Sequence, residues 1–185
     1  MIDTTGGKAY YSDKLSRCYV PRESFSNGSL FFGAMKYKHD DPYIDEVVPL
    51  IEGLGFNLVE LTTARRKGTL HASVILYAPT GVTLDDCAEV YTTLLPRLEV
   101  ITASREIHLE VSSPGLSRAI KSGREFELFK GKGVQLLTES EEEWIGGTIE
   151  DADERGVTLR KAGVSTRYDL ETIRKAKLDE SQEEE

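Results

Sequence analysis

The stretch "LEVSSPGLSRAIKSGREF" (Leu109–Phe126) decides how the chain divides. It starts as an alternating strand and stops at Ser112-Ser113-Pro114-Gly115. It then passes Arg118, Lys121 and Arg124 before an apolar pattern resumes at Phe126. Pro114 fixes its own φ and pushes Ser113 into extended backbone, which ends the strand. Gly115 after a proline suits the positive-φ position of a type II turn. The hydroxyls of Ser112 and Ser113 can bond the free backbone groups of such a turn. The expectation is an interdomain elbow over residues 113–125, carried by Ser112, Ser113, Pro114 and Gly115.

Upstream, residues 41–112 read as an α/β domain of order α-β-β-α-β. Asp41 and Pro42 suit an N-cap and a first helical position, followed by Ile44, Val47, Val48, Ile51 and Leu54 at helical spacing. "FNLVELTT" and "TLHASVILY" read as two strands of a hairpin with "ARRKG" as the loop. Thr83 caps a second helix whose first-turn acids, Asp85 and Asp86, complement its positive end. Its apolar stripe runs through Leu84, Cys87, Ala88, Tyr91, Leu94, Leu95 and Leu98, and Pro96 is expected to kink or shorten it. "EIHLEV" then alternates Ile107, Leu109 and Val111 against His108 and Glu110.

Downstream, Ser122-Gly123-Arg124-Glu125 has the capping-box pattern of a short helix that buries Phe126 and Phe129. From Gly131 come five short β segments separated by turn residues, which predict a small closed barrel over residues 126–178. Asp179–Glu185 reads as an acidic tail. Residues 1–40 show no sustained period and read as disorder or a non-native leader, with Met35 as a credible start.

The formal charge is −9, so broad electrostatic attraction to nucleic acid is not the default. Cys18 and Cys87 lack metal-ligand spacing and suit two thiols in a reducing cytoplasm. No apolar run reaches membrane-spanning length. Ser112 and Ser113 lie outside any Gly-x-Ser-x-Gly elbow, and His39, His71 and His108 have no second ligand at metal spacing. No glycine loop suits phosphate cradling, because "GLGF" ends a helix where such a site would begin one. The reading is therefore of a protein with no catalytic site, no metal and no cofactor.

"GVTLDDCAEV", "LEVSSPGLSR" and the following Phe-x-x-Phe-x-Gly-Lys run, in this order, resemble the RimP family of bacterial ribosome maturation factors over about residues 41–178. The resemblance implies an α+β protein: an α/β N-terminal domain followed by a C-terminal SH3-like (Sm-like) barrel. It also implies a non-catalytic role in assembling the small (30S) subunit. Where the family usually has Gly-Leu-Asp-Arg-Pro-Leu, this chain has Gly115-Leu116-Ser117-Arg118-Ala119-Ile120. The missing acid and second proline leave a looser junction.

Basic clusters are the candidate contacts. Arg65, Arg66 and Lys67 occupy a hairpin tip, from which long side chains reach a phosphate backbone without disturbing a core. Arg118, Lys121 and Arg124 follow the elbow, Lys130 and Lys132 enter the barrel, and Arg174, Lys175 and Lys177 lie on the last strand. On an acidic protein these suggest local contacts to 16S rRNA, while the acidic remainder suits small-subunit ribosomal proteins. The expectation is a cytoplasmic monomer that binds the immature small subunit, with no membrane partner. The rival reading is an SH3- or Tudor-like adaptor that binds a basic peptide.

Overall fold

The computed structural model describes residues 41–183. The predicted leader over residues 1–40 lies outside the described residues, as do Cys18, His39 and Met35. The first unit consists of α1 (Ile44–Gly53), β1 (Asn57–Arg66), β2 (Thr69–Tyr77), α2 (Leu84–Thr102) and β3 (Ile107–Ser112). β1 and β2 pair antiparallel, and β2 and β3 pair parallel, giving the sheet order β1-β2-β3. A parallel pair needs a long crossover, and α2 supplies it.

Local chemistry sets most of these boundaries. Thr83 and Asp86 form a reciprocal capping box at the start of α2, each side chain accepting from the other's backbone N–H. Asp41 does not cap α1, which starts at Ile44 with Tyr43 as its N-cap. Instead the Asp41 carboxylate accepts from Tyr43 N at 3.0 Å and from the Thr63 backbone and hydroxyl, both at 2.8 Å. It ties the entry of the helix to β1. Pro96 does not shorten α2, which continues to Thr102 and closes on Ala103 in the left-handed region at φ 49°. A proline removes one backbone bond of its own turn, and the buried Leu94 and Leu98 on either side hold the helix through it. The stripe is also rotated from expectation: Val90 is buried, while Leu84 is 61% exposed.

The hairpin loop is tighter than the sequence suggests. Ala64, Arg65 and Arg66 belong to β1, and only Lys67 and Gly68 form the turn, at φ 51° and 92°. Positive φ at both central residues is the type I′ arrangement, whose twist matches that of the strands it joins.

A bulge between Leu58 and Glu60 decides how the two halves of the protein meet. Leu58 and Leu61 both pack on the helix side, with Val47, Ile51, Val74, Val90, Leu94 and Leu98. Val59 turns to the opposite face and joins a second core with Ile120, Phe126, Phe129, Val134, Leu136 and Ile173. Tyr77 belongs to that second core too, and its ring meets Phe129 edge-on at 5.0 Å. The apolar contact between the halves is thus built from the face of the hairpin that points away from the helices.

The second unit consists of α3 (Gly123–Leu128), β4 (Gly133–Thr138), β5 (Ile145–Ala152), β6 (Gly156–Lys161), β7 (Val164–Asp169) and β8 (Ile173–Leu178), with a 3-10 turn at Leu170–Thr172 before β8. Its strands form one antiparallel sheet of order β7-β6-β5-β4-β8. The predicted closed barrel is not found: among the described residues no ladder joins β7 to β8. The outer edge of β8 is covered by the elbow, where Ile120 N donates to Ala176 O and Leu178 N donates to Arg118 O, both at 2.9 Å. Asp179–Glu183, part of the expected acidic tail, lies docked on β4 and β5. Asp179 N donates to Gly133 O, and Thr148 Oγ1 donates to Gln182 O, both at 2.9 Å. Gly133 and Gly146 leave the room for it, since a Cβ at either position would strike Asp179 or Gln182.

Asp153 shapes the turn between β5 and β6. Its carboxylate accepts from Arg155 N at 2.8 Å, from Gly156 N at 2.9 Å, and from the Arg167 guanidinium of β7 at 2.7 Å. These bonds, the one from Arg155 N foremost, lower its pKa from 3.8 to about 2. A depressed carboxyl stabilises the fold above its unfolded value and loses that contribution as the pH falls through its folded one. The Asp153 carboxyl carbon should therefore titrate by NMR with a midpoint of about 2. A midpoint at the ordinary 3.8 would show that the turn does not hold it.

Candidate nucleic-acid interface

The predicted basic residues separate into two groups with different chemistry. At the hairpin tip Arg65, Arg66 and Lys67 are all exposed. Successive strand residues point to opposite faces, so the two arginines diverge. Arg65 leans to the helix side, where its guanidinium donates to Thr102 O at 3.4 Å, a favourable site for a cation at the C-terminal end of α2. Arg66 pairs with Thr69 on the other face. Next along that face are His71 and His108, which are neighbours in register with ring centroids 5.4 Å apart. His108 Nε2 lies 3.1 Å from Glu110 Oε1. Arg66 and Lys67 make no ion pair among the described residues.

The elbow group is engaged internally. Arg118 has a side chain only 8% exposed, with Nε 2.9 Å from Glu125 Oε2 and Nη2 2.7 Å from Glu60 Oε2. Lys121 Nζ adds a contact to Glu60 Oε1 at 2.7 Å. Glu60 comes from β1, where the bulge aims it at the junction, and Glu125 comes from the first turn of α3. Arg118 therefore clamps the first unit to the second and is not open to a phosphate. Burial raises the pKa of Glu125, outweighing Arg118. Burial also acts to raise that of Glu60, but the hydrogen bonds from Lys121 and Arg118 win and lower it. Arg124 is half-buried on α3 and belongs to neither group.

The turn chemistry of the elbow also differs from the expectation. Gly115 is not in the left-handed region, and a Cβ there would meet open space, so no type II Pro-Gly turn forms. The turn lies two residues later, with Arg118 N donating to Gly115 O at 3.0 Å. Among the described residues no side-chain hydrogen bond of Ser112 or Ser113 holds it. What fixes the elbow is the ion network and the edge of β8. Ser122 Oγ does accept from Glu125 N at 3.4 Å, but the Glu125 carboxylate reaches back to Lys121 N at 3.2 Å, so the expected reciprocal box is opened to serve the clamp. Sequence reasoning misses Glu60 as a partner because it lies far upstream and looks like an ordinary strand acid.

Residues 46–117 match the family model for the RimP N-terminal domain. Ribosome maturation factor RimP of Borrelia recurrentis (strain A1) is 29% identical over 125 residues, which cover 68% of this chain and 85% of that relative. These likenesses support assignment to the RimP family. Ribosome maturation factor RimP of Borrelia hermsii (strain HS1 / DAH) is 32% identical over 88 residues, covering 48% of this chain and 61% of that protein. The model match to the RimP N-terminal domain ends at residue 117, just before the clamp arginine. The hairpin tip and the bulged β1 both lie within it.

Proposed function

We propose that the chain acts in ribosome maturation, binding the immature small (30S) subunit through 16S rRNA and small-subunit ribosomal proteins, as a cytoplasmic monomer without cofactor or catalysis. The observation that carries this reading is the likeness to ribosome maturation factors along most of their length. In this reading residues 41–112 form one domain, residues 113–125 the elbow, and residues 126–178 an SH3-like unit of five strands, followed by the acidic segment 179–185. The strand order β7-β6-β5-β4-β8 and the 3-10 turn before β8 support the SH3-like reading. Arg66 and Lys67, with Arg65 beside them, contact rRNA phosphates at the projecting tip. Arg118 and Lys121 act indirectly, by fixing where the second unit sits relative to that tip. A fixed arrangement raises the effective concentration of the second contact once the first has formed.

The test is co-sedimentation of the full chain with free small subunits and with assembled ribosomes, across a salt series. Binding is expected to free subunits and little to assembled ribosomes. Reversing the charge of Arg65, Arg66 and Lys67 should weaken it and lower the salt slope by roughly one for each phosphate no longer neutralised. Stability should change by no more than about 0.5 kcal/mol per exposed site. Unaltered affinity at every salt concentration would remove the tip from the binding surface, and absence of subunit binding would remove the function.

A further inference from the structure

The only tryptophan of the chain, Trp144, sits just before β5 and is 42% exposed. Lys177 Nζ lies 5.1 Å from the centroid of its ring. β4 sets Gln135 opposite Lys177 and Leu137 opposite Lys175, while the intervening Leu136 and Ala176 are buried in the core. Lys175 and Lys177 therefore share the outward face of the sheet, about 7 Å apart along β8. Leu137 lies beside them, and Asp179 of the docked C-terminal segment borders the patch through its bond to Gln135 at 2.5 Å.

We propose that Trp144, Lys175 and Lys177 form a stacking site for one unpaired RNA base, separate from the hairpin tip. An indole face stacks on any base, and an adjacent ammonium can take the flanking phosphate. Lys177 already holds a cation position over the ring, so an arriving arginine would meet two ammonium groups. A nucleotide instead brings a neutral aromatic face and a negative phosphate. Glu141, Glu142 and Glu143 lie in the loop just before Trp144 and repel phosphate on that side. The RNA backbone must therefore run over β8. Such a site suits a base splayed from a single strand, since bases inside a duplex are already stacked on both faces.

The inference rests on the ribosomal reading for its choice of RNA, but it does not depend on the tip. Because the chain has one tryptophan, its fluorescence reports this site alone. The full chain is titrated with a short unstructured RNA oligonucleotide, with a duplex of the same length, and with an arginine-rich peptide. Saturable quenching by the single strand is expected, with little from the duplex or the peptide. Lys175→Glu with Lys177→Glu should weaken it about tenfold, with melting temperature and circular dichroism preserved. Trp144→Ala should weaken binding by a similar factor, read by anisotropy of labelled RNA. Charge reversal at Arg65, Arg66 and Lys67 should leave the quenching intact. No quenching by single-stranded RNA, quenching by the peptide alone, or its loss in the tip variant would overturn the site. If subunit co-sedimentation persists in that event, the ribosomal reading stands without it.

Discussion

Arg118→Met should destabilise the protein by about 3–5 kcal/mol, the range for removing one partner of a buried ion pair. The cost arises from what is left behind. The Glu125 side chain is 4% exposed and cannot recover its hydration, while Glu60 at 21% exposure keeps Lys121 as a partner. Most of the loss should therefore trace to Glu125. Adding Glu125→Gln to Arg118→Met should recover a large part of it, because the stranded charge is gone. Lys121→Ala, by contrast, removes an exposed partner and should cost about 1 kcal/mol or less. Urea midpoints of the four proteins, with equal slopes, test the ordering. An Arg118→Met variant within about 1 kcal/mol of the parent would mean that the clamp contributes nothing net. The two acids also carry opposite pH signatures. Glu60, with its pKa lowered, stabilises the fold above its unfolded pKa and loses that contribution as the pH falls through the folded one. Glu125, with its pKa raised, favours the fold below its unfolded pKa and loses that contribution as the pH rises through its folded one.

The clamp also shows where sequence reading stops. The order α-β-β-α-β, the Thr83 cap, the Ser122 cap and the burial of Phe126 and Phe129 are all legible, because each depends on residues a few positions apart. Three features are not. The bulge at Leu58/Glu60 shifts the strand period by one residue, so Val59 reads as an ordinary alternate position when it leaves for the other core. The Lys67-Gly68 turn lacks the asparagine or aspartate that advertises a type I′ hairpin, so the loop reads as longer than it is. Arg118 reads as a free cation after a turn because its partner Glu60 is distant in sequence and aimed at it only by that bulge. The basic tip is legible as a cluster, but the alternation that sends Arg65 to the helix side emerges only once β1 is seen to run through Arg66. In each case pairing across the sheet decides the outcome, and a local pattern carries no record of it.

Phe129→Ala should cost about 3–5 kcal/mol, the range for truncating a fully buried aromatic. It should do so in both halves of the protein at once. Phe129 has no exposure, and its ring sits against Tyr77 of β2 while sharing a core with Val134, Leu136 and Val59. If the elbow joined two independent domains, the substitution would melt α3 and the second sheet and leave β1-β2-β3 folded. The shared core requires a different result. Val59 and Tyr77 lose their cover together with the second sheet, so hydrogen exchange at the amides of β1 and β2 around them should accelerate alongside that of β4 and β5. Amides of α2 facing Leu94 and Leu98 belong to the other core and should respond least. Thermal unfolding of the parent should likewise appear as one transition by both tryptophan fluorescence, which watches Trp144, and far-UV circular dichroism, which watches the helices of the first unit. Two separated transitions, or exchange confined to β4–β8, would return the elbow to a linker between independent domains. A coupled result has a consequence for binding. The hairpin tip and the face of β8 are then held by one continuous core, so their separation is set before any RNA arrives, and ordering them on the target costs no further entropy.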